Sequence, residues 1–241
     1  MNGQSNGQSW AGARADEVFP SSLAGGVALG NQAVAEPLSA EQTTELVSLV
    51  SKNFEQLFDI LGIDHCNDHN TRDTPRRVAK MLVLETLRGR YQRPPAITEF
   101  ENVSKYDQLI VTGPIEVRST CAHHLMPIYG RVYIGILPSP SGHIIGLSKY
   151  DRVVDHFSSR LQIQEELVRQ IGDFIYAKTH PLGLAVRMSA VHMCKTHRGV
   201  KASHSGRMVS SSFLGLFTTD AALKAEFLQE CALLESGTLE K

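Results

Sequence analysis

The hydrophobic pattern of the chain begins with a long amphipathic helix. Apolar residues recur three or four positions apart at Leu46, Val50, Phe54, Leu57, Phe58 and Leu61. Ser39 and Gln42 precede them at the spacing of a capping box, and Gly62 follows them as a typical C-terminal residue. A second helix is predicted over residues 74–89, because Thr74 can act as its cap and a proline, which suits the first helical position, comes next.

The pattern changes to strand-like alternation in the middle of the chain. Apolar residues alternate with other residues at Leu109, Val111, Ile115, Val117, Ile128, Val132, Ile134 and Ile136. The alternation is broken at Gly113-Pro114, which predicts an interruption there. Alternation returns in two further stretches, over residues 182–195 and around residues 207–217. In the first of these, His192 and Cys194 are predicted to share one face of a strand. Together the strands predict an antiparallel sheet.

Helices are predicted between and after these strands. They cover about 148–161, begun by Ser148 as a cap, then 164–178 and, near the C-terminal end, about 220–235. The apolar stripe of the middle helix consists of Leu167, Val168, Ile171, Phe174 and Ile175. Strands interrupted by helices predict an α+β fold, in which an antiparallel sheet carries helices on one face and follows an N-terminal helical segment.

Composition divides the chain into a tail and one domain. Residues 1–37 repeat Asn-Gly-Gln-Ser twice and contain four charged residues, so we predict a flexible N-terminal tail that cannot form a core. The rest of the chain, 38–241, is predicted to be one domain with a helical segment over 38–100 and a catalytic region over 101–241. A chain of 241 residues is long enough to bury one substantial core.

Charge and cysteine content narrow the function classes. Lysine and arginine number 24 and aspartate and glutamate 25, giving a formal charge of −1, so no overall field favours nucleic acid or an anionic membrane as a partner. No apolar run approaches the length of a membrane span, and the N-terminus lacks the pattern of a secretory signal. We therefore expect a cytoplasmic protein. In a reducing compartment, its four scattered cysteines indicate a metal site or catalysis.

The densest chemical motif begins at Cys121. The sequence there is Cys-Ala-His-His, so Cys121 and His124 have the Cys-x-x-His spacing of a metal half-site. Thiolate sulfur and imidazole nitrogen are ligands that Zn²⁺ prefers. A second sulfur, Cys194, lies far along the chain and begins another Cys-x-x-His that ends at His197. The two half-sites together predict a zinc centre.

Several interpretations of these residues are open. A structural zinc site would use Cys121, His124, Cys194 and His197 as four ligands and leave no position for substrate. A three-ligand site without His197 would keep one position for water, whose pKa zinc lowers to about 7. The two cysteines could instead form a disulfide, which a reducing compartment disfavours. Each histidine, taken singly, could also be an ordinary polar or core residue.

Several basic residues are candidates for binding an anion. Lys149 is predicted in the first turn of the helix capped by Ser148, where free N–H groups and the helix dipole favour a phosphate. The other basic residues, which commonly form a solvated face, are Arg76, Arg77, Lys80, Arg152, Lys195, Arg198 and Lys201. No Walker-type loop is present, so side chains would hold a phosphorylated substrate. Glu165 can accept two hydrogen bonds from a base edge with two donors, as guanine has.

Five motifs, in this order, resemble those of the GTP cyclohydrolase I family. They are Asp-Thr-Pro-x-Arg-Val-Ala-Lys-Met from Asp73, Ser-Thr-Cys-x-His-His from Ser119, Ile-Gly-Leu-Ser-Lys from Ile145, Leu-Gln-Ile-Gln-Glu from Leu161 and His-Met-Cys from His192. The resemblance runs from about residue 39 to residue 230. It implies zinc-dependent hydrolysis and rearrangement of GTP to 7,8-dihydroneopterin triphosphate with release of formate, the first step of tetrahydrofolate and pterin biosynthesis.

The resemblance also implies a fold and an assembly. The expected fold is the tunnelling fold, in which the sheets of several subunits join edge to edge into a barrel with helices outside. We therefore expect a homo-oligomer, in this family a decamer. Joined edges would pair strand groups that are otherwise left without partners.

Roles of individual residues follow from the matching positions. The resemblance implies zinc ligation by Cys121, His124 and Cys194. It implies catalytic roles for His123, His192 and, at the ribose, Ser148. It implies binding of guanine by Gln164 and Glu165, and of the triphosphate by Lys149, Arg152 and Arg198. Arg77 and Lys80 are expected to reach the pocket from an adjacent subunit.

The match departs from the family pattern at a few positions. Ala122 and Glu166 stand where the family usually has an acidic and a basic residue, and residues 203–212 lack the family's threonines. Two other functions stay open: an enzyme that stops at the ring-opened formamide, indicated by Ala122, and a guanine-nucleotide-binding regulator with a closed zinc site. His197 is not a ligand position in the family, so the resemblance favours the three-ligand site.

Overall fold

A computed structural model describes residues 26 and 28–237 of the chain. Its helices are α1 (Ala40–Ile60), α2 (Thr74–Lys80), α3 (Leu147–Ser158), α4 (Gln164–Thr179), α5 (Met193–Thr196) and α6 (Ala221–Ser236). Its strands are β1 (Glu99–Glu101), β2 (Ile110–Cys121), β3 (Pro127–Leu137), β4 (His143–Ile145), β5 (Leu161–Gln162), β6 (Gly183–His192) and β7 (Met208–Gly215). None of the described helices is both long and apolar enough to cross a membrane.

Five strands form the main sheet in the order β5-β2-β3-β6-β7. Neighbouring strands are antiparallel except at one edge, where the two-residue β5 runs parallel to β2. The strands β1 and β4, which the hydrophobic pattern did not predict, pair with each other in a separate two-stranded sheet. The α+β class is therefore confirmed, and the main sheet is antiparallel over all but its β5 edge.

Helices cover both faces of the main sheet, so the prediction of helices on one face is wrong. α3 and α4 pack on one face, against alternate residues of β3 such as Val132 and Ile134. The opposite face carries a second apolar cluster, in which Phe227 of α6 joins Tyr133. Gly135 leaves room for α6, since a Cβ there would lie 2.5 Å from the Phe227 ring. β3 has apolar residues on both sides of its pleat, which is typical of a strand buried on both faces.

The two N-terminal helices follow the predicted pattern with altered ends. α1 begins with the predicted capping box, in which Ser39 and Gln42 each accept a hydrogen bond from the other's main-chain amide. The N-cap of α2 is Asp73, so Thr74 lies inside the helix and is not its cap. After Lys80 the predicted helix continues as a π-helix (Met81–Thr86) and a 3₁₀ turn (Arg88–Arg90).

Two further sequence signals have a different structural role from the predicted one. The Gly113–Pro114 peptide bond is cis and the β2–β3 register shifts beside it, so the expected interruption is an irregularity within one continuous strand. Ser148 lies inside α3, whose N-cap is Gly146 with an extended ψ of 142°. β4 ends at Ile145 and the helix begins at Leu147, one residue before Ser148.

Residues 28–34 fall within the predicted flexible tail, yet they are attached to the domain. The side chain of Arg90 donates hydrogen bonds to the main-chain carbonyls of Ala28, Leu29, Gly30 and Gln32. The Asn31 carbonyl accepts hydrogen bonds from Arg160 and Gln170. These bonds are made to main-chain atoms, so the composition of the segment gives no sign of them. Most of the tail before these residues lies outside the part of the chain that the structure describes.

Arg160 and His156 form a buried polar pair beside the attached segment. Arg160 is 5% exposed; it donates to His156 Nε2 at 2.8 Å and to the Gly89 carbonyl at 3.1 Å. Burial and the neighbouring Arg160 charge lower the pKa of His156 to about 4, against a smaller opposing effect of Asp155. His156 is therefore neutral at pH 7, and its Nε2 is the acceptor in this pair.

We expect Gly89→Ala to destabilise the protein by at least about 2 kcal/mol. A Cβ at this position would lie 2.1 Å from the His156 carbonyl oxygen and 2.9 Å from that of Ser159, and neither main-chain atom can move aside freely. Denaturant unfolding measures the loss. Gly146→Ala is the control, because nothing lies within 4 Å of its added Cβ, and we expect a loss below about 1 kcal/mol. Equal losses in both variants would contradict the packing argument.

We expect His156 to make the protein less stable as the pH falls. Its pKa is about 4 in the folded protein against an ordinary value of 6.5, so the unfolded chain binds the proton first. This contribution is fully present above pH 6.5 and decreases by about 3 kcal/mol as the pH falls to 4. His156→Gln keeps an acceptor for Arg160 but does not titrate, so its free energy of unfolding should decrease less between pH 7 and 4. Denaturant unfolding at several pH values compares them, and parallel curves would refute the assignment.

Candidate active site

One end of the main sheet gathers the chemistry-bearing residues. β2 ends at Cys121 beside the start of β3, where Thr120 pairs with Pro127, and β6 ends at His192, which pairs with Ile128. The short β5 pairs with the last residues of β2 and leads almost directly into α4. Residues that follow these strand ends therefore meet at one end of the sheet, although they come from three separate parts of the sequence.

A tight turn between β2 and β3 presents His123 and His124. The Cys121 amide donates to the Met126 carbonyl at 2.8 Å, and the Leu125 amide donates to the Cys121 carbonyl at 2.9 Å. Leu125 takes a left-handed conformation with a φ of 54°, which helps the chain to reverse. Both histidines are exposed, with ring centroids 6.3 Å apart, so both imidazoles are accessible to a ligand.

Cys121, His124 and Cys194 form a candidate metal centre. One ligand atom from each, two thiol sulfurs and an imidazole nitrogen, lies within 4.8 Å of the others. Cys121 is buried, Cys194 is half-buried and His124 is exposed, so the group lies between the core and the surface. His197 does not belong to it, and the closed four-ligand arrangement is therefore not formed by the described residues. Two sulfurs and one nitrogen suit Zn²⁺ and leave one tetrahedral position open.

Cys194 reaches this group from a helix. β6 ends at His192, and the next four residues form α5, so the prediction that His192 and Cys194 share one strand face is wrong. All four cysteines of the chain are free thiols, so Cys121 and Cys194 do not form the disulfide that the sequence left open. Burial and the neighbouring Cys121 thiol raise the pKa of Cys194, whereas the nearby Arg198 charge lowers it.

Gln164, the first residue of α4, contacts His192 from inside the protein. Its side chain is 1% exposed, and its Nε2 donates to the carbonyls of Met188 at 3.2 Å and Met208 at 3.1 Å and to Ser210 Oγ at 3.0 Å. Its Oε1 lies 2.7 Å from His192 Nε2. All of these partners lie within the protein. Ser210 was not a predicted site residue. Its contact with Gln164 follows from its position opposite Met188 in the sheet, which the sequence does not show.

Charged side chains surround the half-buried His192. Burial lowers the pKa of His192, while the carboxylate of Glu165 raises it and the ammonium of Lys195 lowers it. Glu165 is exposed at the N-terminal end of α4, and Arg198 lies close enough to Cys194 to affect its thiol. Glu165 and Arg198, both predicted site residues, are thus close enough to influence His192 and Cys194, respectively.

The predicted phosphate-binding residues of α3 lie in the N-terminal half of that helix. The Ser119 hydroxyl donates to the Ser158 carbonyl at 2.7 Å, so the C-terminal end of α3 lies beside the end of β2. Ser148 and Lys149 occupy the first turn of α3, about 15 Å away along the helix axis, and Arg152 is about one turn nearer. The side chain of Lys149 donates to the Ala96 carbonyl at 3.4 Å.

Arg77 and Lys80 lie on α2, which leads directly into the π-helix, and that π-helix lines a cavity together with residues at the ends of β2 and β3. Arg77 forms an exposed ion pair with Asp73 at 3.5 Å. Lys80 lines, with Arg76, a groove of about 410 Å³ whose other lining residues come from α1 and from Leu84 of the π-helix. The lining of this groove includes no residue of the candidate metal centre.

Proteins named GTP cyclohydrolase 1 are similar to this chain over most of its length. The protein of Saccharolobus islandicus is 37% identical over 186 residues, which cover 75% of this chain and 88% of that protein. The protein of Wigglesworthia glossinidia brevipalpis is 35% identical over 206 residues, covering 84% of this chain and 94% of that protein. The protein of Flavobacterium johnsoniae is 37% identical over 185 residues, covering 76% and 81%.

The other comparisons concern solved structures and family models. A crystal structure of the archaeosine synthase QueF-Like in the apo form has a TM-score of 0.32 and 14% identity, covering 50% of this chain and 96% of that chain. That similarity is too low to support an argument. The family model of GTP cyclohydrolase I matches residues 50–232, which include the whole candidate metal centre. With this match and relatives at 35–37% identity, the chain belongs to the GTP cyclohydrolase I family.

Proposed function

We propose that this chain is a zinc-dependent GTP cyclohydrolase that converts GTP to 7,8-dihydroneopterin triphosphate and formate. The observation that carries the proposal is the group of Cys121, His124 and Cys194 at the strand ends of a member of this family. The reaction would be the first step of tetrahydrofolate and pterin biosynthesis. Free thiols at all four cysteines support the expectation of a reducing, cytoplasmic location.

The proposed metal ligands are Cys121, His124 and Cys194. Their donor atoms are two sulfurs and one nitrogen within 4.8 Å of one another, which fits the preference of Zn²⁺ for thiolate and imidazole. When bound, zinc lowers the pKa of a coordinated water to about 7 and so supplies hydroxide at neutral pH. His197 stays outside the group, which favours a catalytic over a structural centre.

His123 and His192 are the proposed proton-transfer residues. Each stands two positions from a cysteine of the metal centre, so both imidazoles lie beside the place where the purine would be opened. Opening the five-membered ring of guanine and releasing formate require protons to be given and taken at nitrogen. Imidazole suits these steps because its ordinary pKa lies near neutrality.

Glu165 is the proposed anchor of the guanine base. Its carboxylate is exposed at the start of α4 and lies near His192, as its effect on that imidazole shows. A carboxylate can accept two hydrogen bonds from the N–H donors on one edge of guanine. Glu165 would thus orient the base so that its five-membered ring faces the metal centre.

The triphosphate site is proposed to need more than one copy of the chain. Arg198 lies near Cys194, whereas Ser148 and Lys149 lie at the N-terminal end of α3, about 15 Å along the helix axis from the end that lies beside β2. A second copy could bring its Ser148, Lys149 and Arg152 to the centre, and Arg77 and Lys80 would likewise come from an adjacent subunit. This division supports a homo-oligomer, with a decamer as the expected assembly.

The edges of the main sheet support the same assembly. β7 is an edge strand of eight residues that pairs only with β6 in the described chain, and its Met208 and Val209 are exposed. A strand edge with unpaired N–H and C=O groups is a template for another strand. We propose that this edge joins a neighbouring subunit, as the tunnelling fold would require.

We expect the zinc-loaded protein to convert GTP to 7,8-dihydroneopterin triphosphate and formate, detected by mass spectrometry of the reaction mixture. Cys194→Ser should lower the bound zinc to well below one per chain and reduce turnover by at least about 100-fold, because it removes one of three ligands. Cys66→Ser is the matched control, since Cys66 is an exposed free thiol outside the metal group, and it should keep both zinc and turnover.

The products distinguish the alternatives. Accumulation of the ring-opened formamide without pterin would identify an enzyme that stops after the first hydrolysis. Unchanged GTP with bound zinc would refute the proposed activity and favour a nucleotide-binding protein. Full turnover by the Cys194→Ser variant would show that the metal centre is not catalytic.

We expect two inactive variants to restore activity when they share one assembly. His124→Ala removes a metal ligand and Lys149→Ala removes a phosphate contact, so each alone should lose most turnover. If one site uses His124 of one subunit and Lys149 of another, random co-assembly at equal amounts restores about a quarter of the sites. Co-expression followed by measurement of turnover tests this. No recovery in mixed assemblies would place both residues of a site in one chain.

A further inference from the structure

The neighbours of the Gln164 side chain determine how its amide is oriented. The carbonyl oxygens of Met188 and Met208 can only accept hydrogen bonds, so the atom that faces both of them must be the amide nitrogen. The amide oxygen then faces His192 Nε2 at 2.7 Å, and it too can only accept. His192 must therefore donate, which places the hydrogen of the neutral imidazole on Nε2.

We infer that Gln164 is a positioning residue whose side-chain amide fixes the ring orientation and the tautomer of His192 and is not available to substrate. With Nε2 protonated, Nδ1 is the ring nitrogen that keeps a free lone pair. Nδ1 of His192 has no hydrogen-bond partner within the described range 28–237, so it is free to exchange a proton with substrate or water. This inference rests on the proposed function, in which His192 transfers protons.

The support of Gln164 comes from two strands. Met188 lies on β6, which also ends in His192, while Met208 and Ser210 lie on β7. The amide nitrogen is therefore held from both strands, and the oxygen has little freedom to leave the imidazole. A buried amide with all its partners in place is rigid, because breaking any one of these bonds would leave a polar atom unpaired away from water.

The first two residues of α4, Gln164 and Glu165, face different surroundings. Successive helical residues point about 100° apart, and here Gln164 is 1% exposed while Glu165 is exposed. The buried Gln164 amide contacts the His192 imidazole from the core side. The exposed Glu165 carboxylate remains available to bind the guanine base of the proposed substrate. Their adjacency in sequence therefore does not imply a shared contact with guanine.

Steady-state kinetics of Gln164→Leu test the assignment. We expect kcat to fall about 10- to 100-fold with KM changed less than about threefold, because the imidazole loses its orientation while the substrate contacts stay. Ser210→Ala removes one support of the amide and leaves the bond to His192, so a smaller fall in kcat, about two- to tenfold, is expected. A rise in KM with kcat unchanged would overturn the inference and return Gln164 to the guanine site.

A double-mutant cycle separates action through His192 from direct action. In a His192→Ala background, Gln164→Leu should cause no further loss of kcat, because the group it positions is already absent. Losses that multiply in the double variant would show that Gln164 acts on the substrate independently. If Gln164→Leu does not fold, the cycle with Ser210→Ala gives the same distinction.

The tautomer can be observed without turnover. Nitrogen-15 spectra of histidine-labelled, zinc-loaded protein, with His192→Ala identifying the signal, should show hydrogen on Nε2 in the wild type and a mixture of tautomers in Gln164→Leu. Gln162→Leu is the matched control, since Gln162 is also 1% exposed but bonds to the Phe157 carbonyl and Gln170. It should keep the His192 tautomer. A protein that does not convert GTP would refute the proposed function, while these spectra would still decide the inference; an unchanged tautomer in Gln164→Leu would overturn it.

Discussion

The candidate site depends on the register of three strands: β2 and β6 end at the same level of the sheet, where β3 begins. This register places Cys121 at the end of β2 with its side chain in the core between the sheet and its helices, where Cys194 also packs. A slip of one residue would turn Cys121 to the opposite face and separate the two sulfurs. The apolar side chains on both faces of β3 oppose such a slip, because each face packs against a different set of helices. The core that stabilises the fold therefore also sets the geometry of the candidate metal centre.

Hydrogen bonds of buried polar side chains connect the core to residues near the surface. Gln164 bonds to main-chain carbonyls of two strands and to His192, while Arg160 bonds to carbonyls of Gly89 and Asn31. In both cases a buried donor finds partners that lie far away in sequence, which satisfies groups that would be costly to bury alone. The exposed residues of the site can then be mobile or reactive, because the residues behind them are held in one arrangement.

Within one chain, the candidate metal centre and the exposed carboxylate of Glu165 lie toward one end of the sheet, whereas Ser148 and Lys149 lie at the N-terminal end of α3. The separation follows from the direction of α3, whose C-terminal end, and not its N-terminal end, lies beside the end of β2. A helix of twelve residues is about 18 Å long, so its first turn stands well apart from the end that lies beside β2. In the proposed assembly, further copies of the chain would bring the two regions together and give the edge strand β7 a partner.

The sequence by itself determined what depends on neighbouring residues: the capping box of α1, the alternation of the strands, the Cys-x-x-His half-site at Cys121 and the resemblance to one family. These features follow from local geometry and from short spacings. Only the tertiary structure decided that Cys194 joins the group from a helix while His197 does not, that α6 covers the second face of the sheet, and that Gln164 is buried against His192. Each of these outcomes depends on contacts between elements far apart in the chain, and local periodicity carries no information about which distant partner a residue will meet.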